Sequence, residues 1–273
     1  MAVGFASELS TQLTITIPGP SNLPQSASDT SGYYTSFDSV KIYYETKGAG
    51  FPVILIHGFM NSGEAWKRTA VYNALIEKGY RVITLDMRGN GKSDKPHNAE
   101  AYARDAEAKD IIGLARKLKL NSYDIIGYSR GSIIGARLLV LDKHVRKSVI
   151  GGMGTDFTNP DWPRRIMFYR ALSGEPVKEL EGAMKYVKEA GLDQQALAMM
   201  QKEQPSTSRE ALAKVQQPVL VVVGDADEDK GKAKELSAIF KRSRFTVVPG
   251  DHGSALRTPE FSDAVMNFLS GGN

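Results

Sequence analysis

Apolar positions along this chain switch repeatedly between two periods. Residues 53–56, 81–85, 123–126, 147–150, 219–223 and 244–248 are short runs dominated by Val, Ile and Leu and bounded by turn residues. Near-continuous apolar runs of this length read as strands buried on both faces. Between them, residues 64–78, 105–118, 132–141, 232–240 and 261–269 read as helices. Ile111, Ile112, Leu114, Ala115 and Leu118 recur at helical spacing, and Gly79 stands where the first helix should stop. Residues 33–48, YYTSFDSVKIYYETKG, suggest a hairpin turning near Asp38 and Ser39. Strands alternating with helices predict an α/β fold, with a mostly parallel sheet covered by helices on both faces.

Two stretches break the alternation. Residues 1–31 read as an arm, with an alternating LTITI at 13–17 followed by a Ser-, Pro- and Gly-rich linker. Residues 155–216 contain no good strand, only helical pieces at 162–172, 177–190, 193–204 and from 207. An all-helical insertion of this size reads as a cap. Residues 32–154 and 217–273 are then two parts of one sheet domain that the cap interrupts.

Composition narrows the chemistry. The 273 residues are 41% hydrophobic and 24% charged, ordinary for a globular protein. The absence of cysteine removes disulfides, thiolate metal sites and a Cys nucleophile. A net charge of +4, with no Lys/Arg-rich block, gives no reason to expect nucleic acid. No apolar run approaches the roughly 18 residues of a membrane span. The first residues lack the basic and apolar regions of a signal peptide, so a cytoplasmic location is expected, or export if a leader has been replaced. Histidine-dependent chemistry must use His57, His97, His144 or His252.

The sharpest motif is Gly127-Tyr128-Ser129-Arg130-Gly131, between a strand and a helix. G-x-S-x-G in that context is a nucleophile elbow. Its turn projects the serine hydroxyl, its glycines avoid collision with neighbouring backbone, and the Arg130 N–H faces a developing oxyanion. Serine needs a base. His252 follows the last strand, at the carboxyl end of the sheet where α/β sites lie. The base needs an acid to fix its tautomer. The strand at 219–223 is followed by Asp225, Asp227, Glu228 and Asp229, of which Asp227 is the candidate and Asp225 the alternative. His57-Gly58-Phe59 follows another strand, and the Phe59 N–H is the second oxyanion donor, with His57 expected to be structural.

From about residue 33 onward the chain resembles the α/β-hydrolase superfamily. Besides the elbow, Asp86-Met87-Arg88-Gly89-Asn90-Gly91-Lys92-Ser93 with Pro96 is similar to the family's D-x-R-G-x-G-x-S-x-x-P loop, and Trp66 stands where many members carry tryptophan. The resemblance implies an eight-stranded sheet with a helical cap after strand six. It also implies a triad of Ser129, Asp227 and His252, with Phe59 and Arg130 as the oxyanion hole. The chain departs from the pattern twice. No proline follows the acid, and Arg130 stands where Met, Leu or a small residue is common, putting a cation near the site mouth. A P-loop register for Gly91-Lys92-Ser93 fails, because its first glycine would fall on Asp86.

Relatives that open epoxides or cleave carbon–halogen bonds carry Asp at the elbow, so Ser129 points to acyl chemistry. The expected function is hydrolysis of a small carboxylic ester or related acyl substrate through an acyl-enzyme. C–C bond hydrolysis, perhydrolysis and a non-catalytic ligand-binding role are the alternatives. No cofactor or metal is expected. Trp162, Phe168 and Met153 are candidate substrate contacts, although most aromatic and Met residues of the cap are expected to pack it onto the core. Arg130, Arg164, Arg165 and Arg170 raise the further question of an anionic substrate.

Overall fold

The computed structural model describes residues 29–271. The alternating segment at 13–17 lies outside them. Eight strands among the described residues form one sheet: β1 (Thr30–Thr35), β2 (Lys41–Lys47), β3 (Pro52–Ile56), β4 (Arg81–Leu85), β5 (Tyr123–Tyr128), β6 (Val145–Gly151), β7 (Val219–Gly224) and β8 (Ser243–Val248). Their spatial order is β1-β2-β4-β3-β5-β6-β7-β8. The β1–β2 hairpin is antiparallel, with Tyr33 opposite Tyr43, and β2 is antiparallel to β4. Every other pairing is parallel.

The central strands bury both faces, and their side chains divide by alternation. Ile54, Ile56, Ile125, Ile150, Val219 and Val221 join one apolar cluster, which α2 (Ala106–Lys117), α3 (Arg130–Leu141) and α8 (Lys230–Ile239) cover. Val53, Leu55, Ile126, Val149, Leu220 and Val222 face the other way, toward α1 (Ala70–Glu77) and α9 (Pro259–Ser270). Each such side chain contributes about 1.5–3 kcal/mol by leaving water.

The helix expected over 64–78 is two pieces. A 3-10 turn (Gly63–Arg68) ends where Thr69 adopts extended backbone, φ −106° and ψ 148°. The Thr69 hydroxyl donates to the Trp66 carbonyl at 2.6 Å and accepts the Tyr72 N–H, capping α1.

Between β6 and β7 lie α4 (Pro163–Leu172), α5 (Glu181–Glu189), α6 (Gln194–Lys202) and the short α7 (Arg209–Leu212). The helix expected over 177–190 begins as a separate 3-10 turn, Lys178–Leu180. Leu172, Val187, Leu197 and Met200 bury a small core here, against Tyr102, with Phe59, Tyr169, Met184 and Met199 at its edge. Most of the segment's Met residues therefore serve packing. No helix among the described residues is long and apolar enough to cross a membrane.

Candidate active site

The elbow forces Ser129 into φ 53° and ψ −124°, a conformation L-residues seldom adopt. The surrounding glycines make the turn possible. A Cβ at 127 would lie 2.4 Å from the Gly131 carbonyl oxygen, and one at 131 would lie 2.1 Å from that of Ile56. The Ser129 N–H donates to the Gly151 carbonyl at 2.8 Å, and the Ser132 hydroxyl donates to the same oxygen, locking the turn to the end of β6.

His252 comes from the loop after β8. Its Nε2 is 3.0 Å from Ser129 Oγ, and its Nδ1 is 3.0 Å from Asp227 Oδ2. An ionised carboxylate only accepts, so Nδ1 carries the proton and Nε2 is left to accept from the serine hydroxyl. Burial alone would raise the Asp227 carboxyl, but hydrogen bonds from His252 and the Asp229 N–H, with the attraction of His252, hold it below the usual carboxylate value. Asp225 is elsewhere: exposed, it accepts the Gly250 N–H at 2.9 Å and ties the β7 and β8 loops together.

The turn after β3 passes directly over Ser129. A Cβ at Gly58 would lie 3.3 Å from that of Ser129, tighter than side chains usually pack, and the close approach sets the next residue, Phe59, beside the serine. The N–H groups of Phe59 and Arg130 donate to no acceptor among the described residues. Arg130 opens α3, so the positive end of that helix adds to the field there. His57 is fully enclosed. Its Nδ1–H donates to the Gly58 carbonyl at 2.8 Å, and its Nε2 accepts the Met87 N–H at 3.0 Å. Burial holds this imidazole below its ordinary pKa and therefore neutral. The neighbouring 86–93 loop is similarly internal: Asp86 accepts the N–H groups of Gly63 and Lys92 at 2.8 and 2.7 Å.

The Arg130 side chain is not a free cation at the mouth. It is buried, and forks onto the Glu107 carboxylate at 2.7 and 2.5 Å, with a third contact to the Met200 carbonyl. Arg170 pairs with Glu175 at 2.6 Å. Arg165 donates to the carbonyls of Pro160, Gln201 and Lys202, joining α4 to the end of α6. The Arg164 charge favours the ionised forms of Asp227 and Asp229, without an ion pair to either.

A cavity of about 100 Å³ reaches Ser129 and His252 beneath α4, and Met153, Trp162 and Phe168 all line it. Phe168 meets Phe59 edge-on, centroids 5.6 Å apart. A second cavity, about 490 Å³, reaches the same pair from the other side. One contributor escaped the sequence reading. The Tyr128 hydroxyl donates to the His252 carbonyl at 2.8 Å, steadying His252 from the residue before Ser129. Nothing in the elbow motif marks that position, because the contact spans 124 residues of chain. Among the described residues, no group of three or more His, Asp or Glu side chains is arranged to hold a metal.

Comparison with known proteins agrees with this fold. Residues 52–171 match the family model for the alpha/beta hydrolase fold. A putative non-heme chloroperoxidase of Synechocystis is 42% identical over 94 residues, which are 34% of this chain and 33% of that protein. The chain thus spans about a third of the curated relatives it matches first. The structure of a bromoperoxidase from Bacillus anthracis superposes with a TM-score of 0.70 at 26% identity, covering 89% of this chain and all 100% of that one. An esterase from Exiguobacterium antarcticum superposes with a TM-score of 0.73 at 23% identity, again over 89% of this chain and 100% of its own. The strand order, the elbow and the match over residues 52–171 agree: the chain has the α/β-hydrolase fold.

Proposed function

We propose that this chain is a serine hydrolase that cleaves a small carboxylic ester, or a related acyl compound, through an acyl-enzyme on Ser129. The observation that carries the reading is the unbroken relay from Ser129 Oγ to His252 Nε2 and from His252 Nδ1 to Asp227, both steps 3.0 Å. Ser129 attacks the carbonyl carbon as His252 takes its proton. Asp227 holds the imidazole in the required tautomer and stabilises its charged form. The free N–H groups of Phe59 and Arg130 receive the oxyanion, where each such donor is worth about 10²–10³ in kcat. The imidazolium then protonates the departing alcohol, and water activated by His252 releases the acid.

The 100 Å³ cavity fits a short acyl group. In this reading the helical segment 155–216 is a cap, and Met153, Trp162 and Phe168 contact substrate beneath it. Hydrolysis of short p-nitrophenyl esters tests the proposal. Turnover and fluorophosphonate labelling that both vanish in Ser129→Ala support it; turnover that persists in that variant, or no turnover at all, refutes it.

A second reading, perhydrolysis, is favoured by relatives whose names are peroxidases. There hydrogen peroxide replaces water as acceptor of the acyl group, on the same residues. Halide oxidation that depends on peroxide, a carboxylic acid and Ser129 separates it from simple ester hydrolysis.

A further inference from the structure

The two cavities that meet at Ser129 and His252 differ in charge. In the inner one, Arg164 shares the lining with Asp229, and the attraction of the Asp227 and Asp229 carboxylates offsets its charge without a formed ion pair. The outer cavity lies between the turn after β3 and the turn after His252. Arg68 is the last residue of the first turn, and Arg257 is the last residue of the second, Ala255–Arg257. Both line the cavity, yet neither donates to an acceptor or pairs with a carboxylate among the described residues. Glu64, on the same wall, is engaged by Lys67 at 2.7 Å. The neutral His57 adds nothing. Two unanswered guanidinium groups, from separate elements, therefore flank the space that leads to the nucleophile.

Guanidinium forks match planar carboxylates, and a cleft lined by one sign of charge concentrates the opposite sign. We propose that the ester taken by this site carries a carboxylate on the half that occupies the outer cavity, with the uncharged half beneath α4. The inference rests on the serine-hydrolase reading above. It assigns the preference for an anion to Arg68 and Arg257, not to the arginines of the helical segment. The charged half is either the alcohol or the acyl chain, and matched substrates distinguish these.

The test compares 4-acetoxybenzoate with its methyl ester for an anionic alcohol half, and mono-p-nitrophenyl succinate with its methyl ester for an anionic acyl half. In one pair, wild type prefers the anion. The anionic-to-neutral ratio of kcat/KM falls roughly five-fold in Arg68→Gln or Arg257→Gln, the scale of a solvent-exposed ion pair. It falls further in the double variant, and 0.5 M salt erodes it, as screening requires. Ratios in both pairs that match between wild type and the double variant overturn the proposal. Failure of the underlying reading looks different: neutral esters also go unhydrolysed. In that event, calorimetric titration of Ser129→Ala with the same ligands decides. Tighter binding of an anion that Arg68→Gln/Arg257→Gln abolishes upholds the anion site, and equal binding overturns it.

Discussion

At Ser129 the chain tolerates a backbone conformation that only a surrounding of glycine permits. The strain has a purpose, because φ 53° lifts Oγ toward His252 while the Phe59 and Arg130 N–H groups stay unengaged. The acid shows how far a sequence can resolve such a site. Four carboxylates crowd one loop, and composition alone does not rank them. Geometry does: Asp227 is buried and meets Nδ1, whereas Asp225 is exposed and spent on the Gly250 N–H. Asp227→Asn is therefore expected to lower kcat by about 10⁴, since an amide leaves the imidazole in the wrong tautomer. Asp225→Asn retains an acceptor for Gly250 and should change kcat by less than about three-fold, within the range of surface substitutions. Steady-state kinetics on one neutral ester checks both, and a larger loss in Asp225→Asn would reverse the assignment. Ser129, His252 and Asp227 were legible because each follows a strand that is itself unmistakable. Arg68, Arg257 and the Tyr128 hydroxyl were not, since what matters about them is the distant chain they face or fail to face.

Secondary elements were readable for the same reason that the sheet order was not. Apolar period and capping are local, so the strands at 81–85 and 219–223 and the helices after them stand where the pattern puts them. Only tertiary contact reveals that β4 sits between β2 and β3, or that Thr69 breaks a helix whose apolar pattern runs on. Arg130 is the sharpest case. In the sequence it is a cation beside a nucleophile; in the fold it is the partner of Glu107, and the pair pins α2 to the first turn of α3. Both side chains are almost wholly buried, at 6% and 3% exposure. Glu107→Gln strands a guanidinium there and should cost about 3–5 kcal/mol in urea unfolding. Replacing both residues, as Arg130→Met with Glu107→Leu, should recover most of that loss, because the desolvated charge is gone. A double variant as unstable as the sum of the singles would show that the two charges do not act as a pair.

The whole molecule converges on the carboxyl end of its sheet, and His57 links that convergence to overall stability. The imidazole joins the turn after β3 to the loop after β4, and it can do so only when neutral: Nδ1–H gives to the Gly58 carbonyl while Nε2 receives from the Met87 N–H. A proton on Nε2 would set two donors face to face, His57 Nε2–H against the Met87 N–H. Burial accordingly keeps its pKa in the fold below the ordinary 6.5. The sign of the linkage follows. Above pH 6.5 the folded and unfolded chains both hold His57 neutral, and it adds no slope. As pH falls through that value the unfolded chain takes up a proton that the folded chain refuses, so stability drops, by up to about 1.4 kcal/mol per pH unit, until the folded pKa is reached. In a protein of this size each 1 kcal/mol shifts Tm by about 2–4 °C. Replacement by Gln keeps a donor and an acceptor but no titration. His57→Gln should melt lower than wild type at pH 7.5 and lose less Tm than wild type between pH 6.5 and 5.5, by roughly 2–4 °C. Calorimetric melting at these three pH values reads the difference directly, and parallel curves would mean that His57 does not carry the acid sensitivity of this fold.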